Sequence, residues 1–225
     1  MKCLLCLVAI LLTITPMICK GEALMMSEEE QLSFLNKVQI RKWIGDDSSH
    51  SITCFDVNER GDIVIGINEA NGRSLVSIYN NTGHWLWGYS FISNGKYYLE
   101  WDSKETINIY WVRSSVKGTF DSQANCLALN EYKLDSSMND RFLNMGSCER
   151  VVDNTKYYLT ANLGCLSPLA FTYSRVVCIT PEGQEIVIID MKGSNIGGAI
   201  FLCILIVSIV IAISISLKRY IFSSI

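Results

Sequence analysis

The sequence predicts a mainly β fold, built from antiparallel sheets behind a short N-terminal helix and followed by one C-terminal transmembrane helix. Three observations carry this. From Ser51 onward, apolar residues recur with a period of two in short runs. Those runs are separated by Asn, Asp and Gly clusters of turn composition. Near the C-terminal end, Ile196 to Leu217 is an apolar block without a charge. The 225 residues are 49% hydrophobic and 18% charged, which excludes a disordered or collagen-like chain. A net charge of −3 argues against a nucleic-acid partner, which would call for a basic stripe.

Residues 1–23 read as a secretory signal peptide. Met1-Lys2 is followed by an apolar run from Cys3 to Ile14, then Pro16, with small residues at Gly21 and Ala23. Cleavage is expected after Ala23, with Gly21 as the second site. Thr13, Thr15 and Pro16 cut the run short of the ~20 residues a membrane span needs.

Residues 24–50 form a helical lead-in. Ser27 and Glu30 have the spacing of a capping box, and Glu28, Glu29 and Glu30 suit the positive end of a helix dipole. Leu32, Leu35 and Val38 give an apolar stripe. Val38-Gln39-Ile40-Arg41 alternates instead, so a strand could follow the helix.

Residues 51–193 are the β domain. Ile52 to Val57, Ile63-Val64-Ile65, Leu75 to Tyr79 and Trp85 to Phe91 make four strands separated by turns at Asn58 to Asp62, Asn71-Gly72 and Asn80 to Gly83. A second unit follows the turn Asn94-Gly95. It has Tyr97, Leu99 and Trp101 on one face of a strand, Ile107, Ile109 and Trp111 on the next, and less regular strands in 118–134. Asp135 to Arg150 reads as a polar loop or insertion. A third, partial unit comprises Tyr157 to Leu159, Arg175 to Ile179 and Glu185 to Ile189 around the turn Pro181-Glu182-Gly183.

The stretches Phe55 to Gly66 and Val76 to Gly83 resemble the inner and outer hairpins of an NHL-type β-propeller blade. Ile107 to Arg113 with Thr119-Phe120-Asp121 is similar to the next blade, and Tyr157 to Leu159 with Ser174 to Val177 and Pro181 to Glu185 to a further half-blade. The whole resembles uncharacterised bacterial membrane-anchored proteins with a signal peptide, a blade-like ectodomain and a C-terminal span. The resemblance implies a fold and a general binding role, and no particular activity. About two and a half blades are counted. The 140 residues from Ser51 to Asp190 are too few for a closed propeller of four blades at ~40–45 residues each. The sheets are therefore expected to stack on each other, with the N-terminal segment covering a face and self-association as a further way to protect open edges.

Residues 194–217 are expected to be the transmembrane helix. Ile196 to Leu217 would reach about 33 Å at ~1.5 Å per residue, and Lys218-Arg219 begin a cytoplasmic tail, 218–225. This places the protein in the cytoplasmic membrane as a single-pass chain with its β domain outside. Ser208, Ala212 and Ser216 lie four residues apart and would offer a small-residue face to another membrane helix.

Residues 24–193 carry 15 basic and 21 acidic residues, a net charge of −6. Their five cysteines, Cys54, Cys126, Cys148, Cys165 and Cys178, sit among apolar neighbours and read as mostly buried thiols. His50 and His84 are too far apart in sequence to suggest a zinc site, and no cofactor is expected. Arg60-Gly61-Asp62 reads as a hairpin turn. Asn80-Asn81-Thr82 is a glycosylation sequon on a turn, incidental outside a eukaryotic host. Asp56, Asp62, Asp102 and Asp121 recur near turns without a sign that any two converge. Trp85, Trp87, Tyr89 and Phe91 share one strand face, expected to be core, which leaves the opposite-facing Tyr98, Tyr110 and Arg113 as candidates for an exposed contact.

The function expected is a binding or interaction module whose partners are the lipid bilayer and another membrane protein or a second copy. One alternative is an accessory subunit working through its span. The other is a surface hydrolase, which would need two converging carboxylates.

Overall fold

The computed structural model describes residues 24–45, 51–69, 71–93, 95–102, 105–161, 172–191, 204–205 and 207–208. The expected signal peptide lies outside the described residues, as do Cys165, His50 and nearly all of the expected span and tail. No helix among the described residues is long and apolar enough to cross a membrane.

The described chain is mainly antiparallel β-sheet with two helices. In order it runs β1 (Leu24–Met25), α1 (Glu28–Val38), β2 (Arg41–Trp43), β3 (Ile52–Val57), β4 (Ile63–Asn68), β5 (Arg73–Tyr79) and β6 (Trp85–Ile92). It continues with β7 (Tyr97–Trp101), β8 (Ile107–Trp111), a 3-10 turn (Val112–Ser114), β9 (Val116–Phe120) and β10 (Cys126–Glu131). The last part is α2 (Ser136–Met145), β11 (Glu149–Val152), β12 (Thr155–Thr160), β13 (Arg175–Ile179) and β14 (Glu185–Asp190).

Three sheets result. The first has the order β2-β6-β5-β4-β3, the second β1-β10-β9-β8-β7 and the third β11-β12-β13-β14. Each is a four-strand meander, and the N-terminal segment adds a fifth short strand to the outer edge of the first two. The third unit, expected to be partial, is thus a full sheet. The helix α2 and the first half of β11 fall in Asp135 to Arg150, the stretch expected to be a loop, because the helix has few and widely spaced apolar residues.

One turn chemistry closes three of the hairpins. In Asn58–Asp62 the Asn58 amide donates to the Asp62 carbonyl (3.0 Å), while Asn58 Oδ1 accepts from the amides of Arg60 and Asp62 (both 2.9 Å). Asn80 repeats this with Thr82 and His84 (3.0 and 2.9 Å), and Asp121 with Gln123 and Asn125 (both 2.9 Å). A short side-chain acceptor two and four residues before the amides it binds is what holds such turns. The fourth residue takes a positive φ: 80° at Gly61, 82° at Gly83, and 68° at Ala124, where glycine would be the unstrained choice. Arg60-Gly61-Asp62 is therefore turn, with Arg60 Nη2 2.8 Å from Asp62 Oδ2.

The first sheet is the middle layer. Val64, Val76, Ile78, Tyr89 and Phe91 on one face meet Leu99, Ile107, Ile109, Trp111 and Phe120 of the second sheet. Ile63, Ile65, Ile67 and Leu75 on the other face meet Tyr157, Leu159, Val176 and Cys178 of the third. Burial on both faces explains why Ile63 to Ile67 shows no apolar–polar alternation. Gly66 lets the layers close: a Cβ there would sit 2.8 Å from the Tyr97 hydroxyl, which donates to the carbonyls of Ile67 (3.1 Å) and Leu75 (3.3 Å).

The expectation that Trp85, Trp87, Tyr89 and Phe91 share a face is corrected. Ile78 pairs with Trp87 but Tyr79 pairs with Trp85, so Leu86 is an extra residue in β6. That bulge turns Trp85 toward the third sheet, while Trp87, Tyr89 and Phe91 pack against the second.

The first strands of the three sheets meet at Asp56. Its carboxylate accepts from the Trp101 amide of β7 (2.9 Å) and from Arg150 Nε of β11 (2.9 Å). Arg150 also donates to the carbonyls of Phe55, Met145, Ser147 and Glu149 at 2.8–3.1 Å and lies over the Phe55 ring. Burial pushes the Asp56 carboxyl above its ordinary range although these donors pull it down.

Candidate functional site

Tyr98 and Tyr110, two of the three residues expected to make an exposed contact, are buried. Helix α2 covers them. Phe142 stacks on Tyr98 at 5.0 Å and meets the Tyr110 ring edge-on, and Met145 completes the cluster. The Tyr110 hydroxyl donates to Glu100 Oε2 (2.7 Å), which with Oε1 also binds Arg141 of the helix (2.6 and 2.8 Å). The unanticipated helix is the physical reason for this correction: it supplies the apolar cover that the outer face of the second sheet needs. Its start was signalled by Asp135, whose carboxylate accepts from the Met138 amide (2.8 Å).

The carboxylates near turns have local partners. Asp62 binds Arg60, Asp121 caps its own turn, and Asp102 accepts from Asn108 Nδ2 (3.0 Å). Cys54, Cys126, Cys148 and Cys178 carry free thiols, with Cys54 and Cys178 buried. Burial pushes the Cys54 thiol up to about 12. Among the described residues no group of His, Cys, Asp and Glu is placed to hold a metal ion. Of the small-residue face in the expected span, Ser208 donates to the carbonyl of Ile204 (2.8 Å), while Ala212 and Ser216 lie outside the described residues.

Arg113, the third expected contact residue, is exposed and stands at a groove of about 850 Å³ between α1 and the ends of the first two sheets. Local sequence builds both walls. The Ser27 amide and hydroxyl donate to the Glu30 carboxylate (2.8 and 2.7 Å) and start α1 as the capping box predicts. Those bonds, the side-chain one foremost, hold the Glu30 carboxyl below its ordinary range. At the other end Gln39 takes a left-handed conformation (φ 48°) and turns the chain into β2 beside β6. The inward face of the helix is Phe34, Leu35 and Val38. Leu32, expected on that stripe, points to solvent.

The floor of the groove is apolar: Phe34, Val38, Ile92, Trp111 and Val116, with the Phe34 and Trp111 rings edge to face at 5.1 Å. Its ends differ in charge. Glu29, Glu30 and Glu131 lie where α1 begins and β1 pairs with β10. Lys37, Lys96 and Arg113 lie where α1 ends and β6 passes to β7. Lys96 Nζ sits 4.6 Å above the Tyr98 ring. The sequence did not point to Lys37, Glu131 or Trp111 as one site, since tertiary packing alone assembles them. The chemistry available is ion pairing at two ends and apolar contact between them.

No known family, no curated protein and no solved structure matches the chain.

Proposed function

We propose that this protein is a single-pass, membrane-anchored binding module whose β domain lies outside the cytoplasmic membrane and contacts its ligand through the groove at Arg113. The groove carries the reading: it joins an apolar floor to charged groups of both signs. Its volume of about 850 Å³ lies in the size range of ligand sites. The signal-like N-terminus, the 22-residue apolar block and the Lys218-Arg219 pair support the membrane placement. Three stacked antiparallel meanders whose first strands meet at Asp56 support the likeness to blades of an NHL-type propeller.

The test is in-cell crosslinking of the full-length chain, wild type against Ser33→Trp, which fills the groove from the exposed side of α1. Loss of the wild-type adducts in the variant is expected, and their retention would overturn the assignment of the site. Protease added to intact cells should remove residues 24–193 and spare a C-terminal stub. Complete protection would overturn the membrane placement.

A further inference from the structure

We infer that the groove takes a short peptide with both termini free, its ammonium beside Glu29 and Glu131 and its carboxylate beside Arg113 and Lys37. This rests on the groove being the contact site. The charge polarity follows from the topology. Glu131 ends β10 and Lys96 precedes β7, and in the second sheet these strands are three spacings apart. At ~4.8 Å per spacing the two ends are separated by about 14 Å. Along the opposite wall, Glu29 and Lys37 are eight residues apart on one helix, about 12 Å at ~1.5 Å per residue.

An extended chain advances ~3.3 Å per residue, so three or four residues bridge a gap of about 12–14 Å. A free amino acid, with both charged groups attached to one carbon, reaches only one end. A neutral sugar leaves both ends unmatched. The Phe34–Trp111 floor gives apolar side chains a surface between the charges, and the hydroxyls of Ser33, Ser93 and Ser114 line the walls within reach of peptide groups. Exposed ion pairs contribute modestly one at a time, so the inference depends on both ends acting on one ligand.

The probe is the tetrapeptide Ala-Phe-Leu-Ala, measured by calorimetry against the full-length protein in detergent, with its N-acetylated and C-amidated forms and the dipeptide Phe-Leu. The free-ended tetrapeptide should bind at least tenfold more tightly than either capped form and than the dipeptide. Arg113→Gln should weaken the free-ended peptide while leaving the C-amidated one unchanged, and Glu131→Gln should do the same with the N-acetylated one. Equal affinity for capped and free forms, or no heat from any of the four at millimolar concentration, would overturn the inference. If no peptide binds while Ser33→Trp still abolishes the crosslinks, the peptide class falls and the groove stands. If the crosslinks also survive Ser33→Trp, both fall.

Discussion

Replacing Arg150 by Met should unfasten the three sheets at the point where their first strands meet. The substitution keeps an unbranched stem over the Phe55 ring and removes the guanidinium. Asp56 then keeps only backbone donors, the Trp101 amide and the smaller contribution of Val57, and the carbonyls of Phe55 and Met145 each lose a donor. The Asp56 and Arg150 side chains are 17% and 15% exposed, so water replaces little of what is lost. Breaking one half of such a buried pair costs about 3–5 kcal/mol. The pH dependence gives a second, independent readout. Burial already raises the Asp56 carboxyl in the folded protein, so its contribution is greatest at low pH and is lost as pH rises through the folded value. Without Arg150 that value rises further. The variant should therefore show a smaller deficit at an acidic pH than at neutral pH, by about 1.4 kcal/mol for each unit of added shift that titrates between the two. Urea unfolding followed by tryptophan fluorescence measures both quantities. A deficit below about 1 kcal/mol, or one that is the same at both pH values, would refute the reasoning. Asp56→Asn combined with Arg150→Met should restore much of the loss, since no uncompensated charge remains.

Gly83→Ala should destabilise the protein by about 3 kcal/mol or more in the same urea assay, because its Cβ would clash with the Ile188 carbonyl oxygen of the third sheet and because φ is 82°. Ala124→Gly should act in the opposite direction, raising stability by roughly 0.5–1 kcal/mol by relieving a left-handed alanine at φ 68°. Cys54 should resist alkylation in the native state at about pH 8, since burial holds its thiol near about 12. Mass spectrometry after a timed iodoacetamide pulse should find the partly exposed Cys126 and Cys148 modified before Cys54, which follows only on unfolding.

Much of the fold was legible where local chemistry decides it. Asn58 and Asn80, each with glycine three residues later, announce hairpins because an acceptor side chain and a positive-φ position are both needed within one turn. Ser27 and Glu30 announce the start of α1 for the same kind of reason. Helix α2 escaped because only Met138, Phe142 and Met145 face the sheet, and the rest of Ser136–Met145 is polar apart from Leu143, which points to solvent. Missing it led to the wrong surface, since Tyr98 and Tyr110 look exposed unless something covers them. The bulge at Leu86 has no turn-like composition to betray it, yet it reassigns Trp85 to a different layer. Arg113 was found, but its partners in the groove come from α1, more than seventy residues earlier, and from the ends of β6 and β10, about twenty residues to either side, and are joined only by the way the sheets stack.

The layer order has a consequence for biogenesis. The sheet made first, within residues 41–92, ends up between the other two, so one of its greasy sides stays bare until 149–190 have been synthesised. At ~5–20 residues per second that wait is on the order of 5–20 s, long enough for an unprotected nascent chain to stick to its neighbours. Export that hands the polypeptide over in one continuous passage, or a holding factor waiting on the far side, would spare it that hazard.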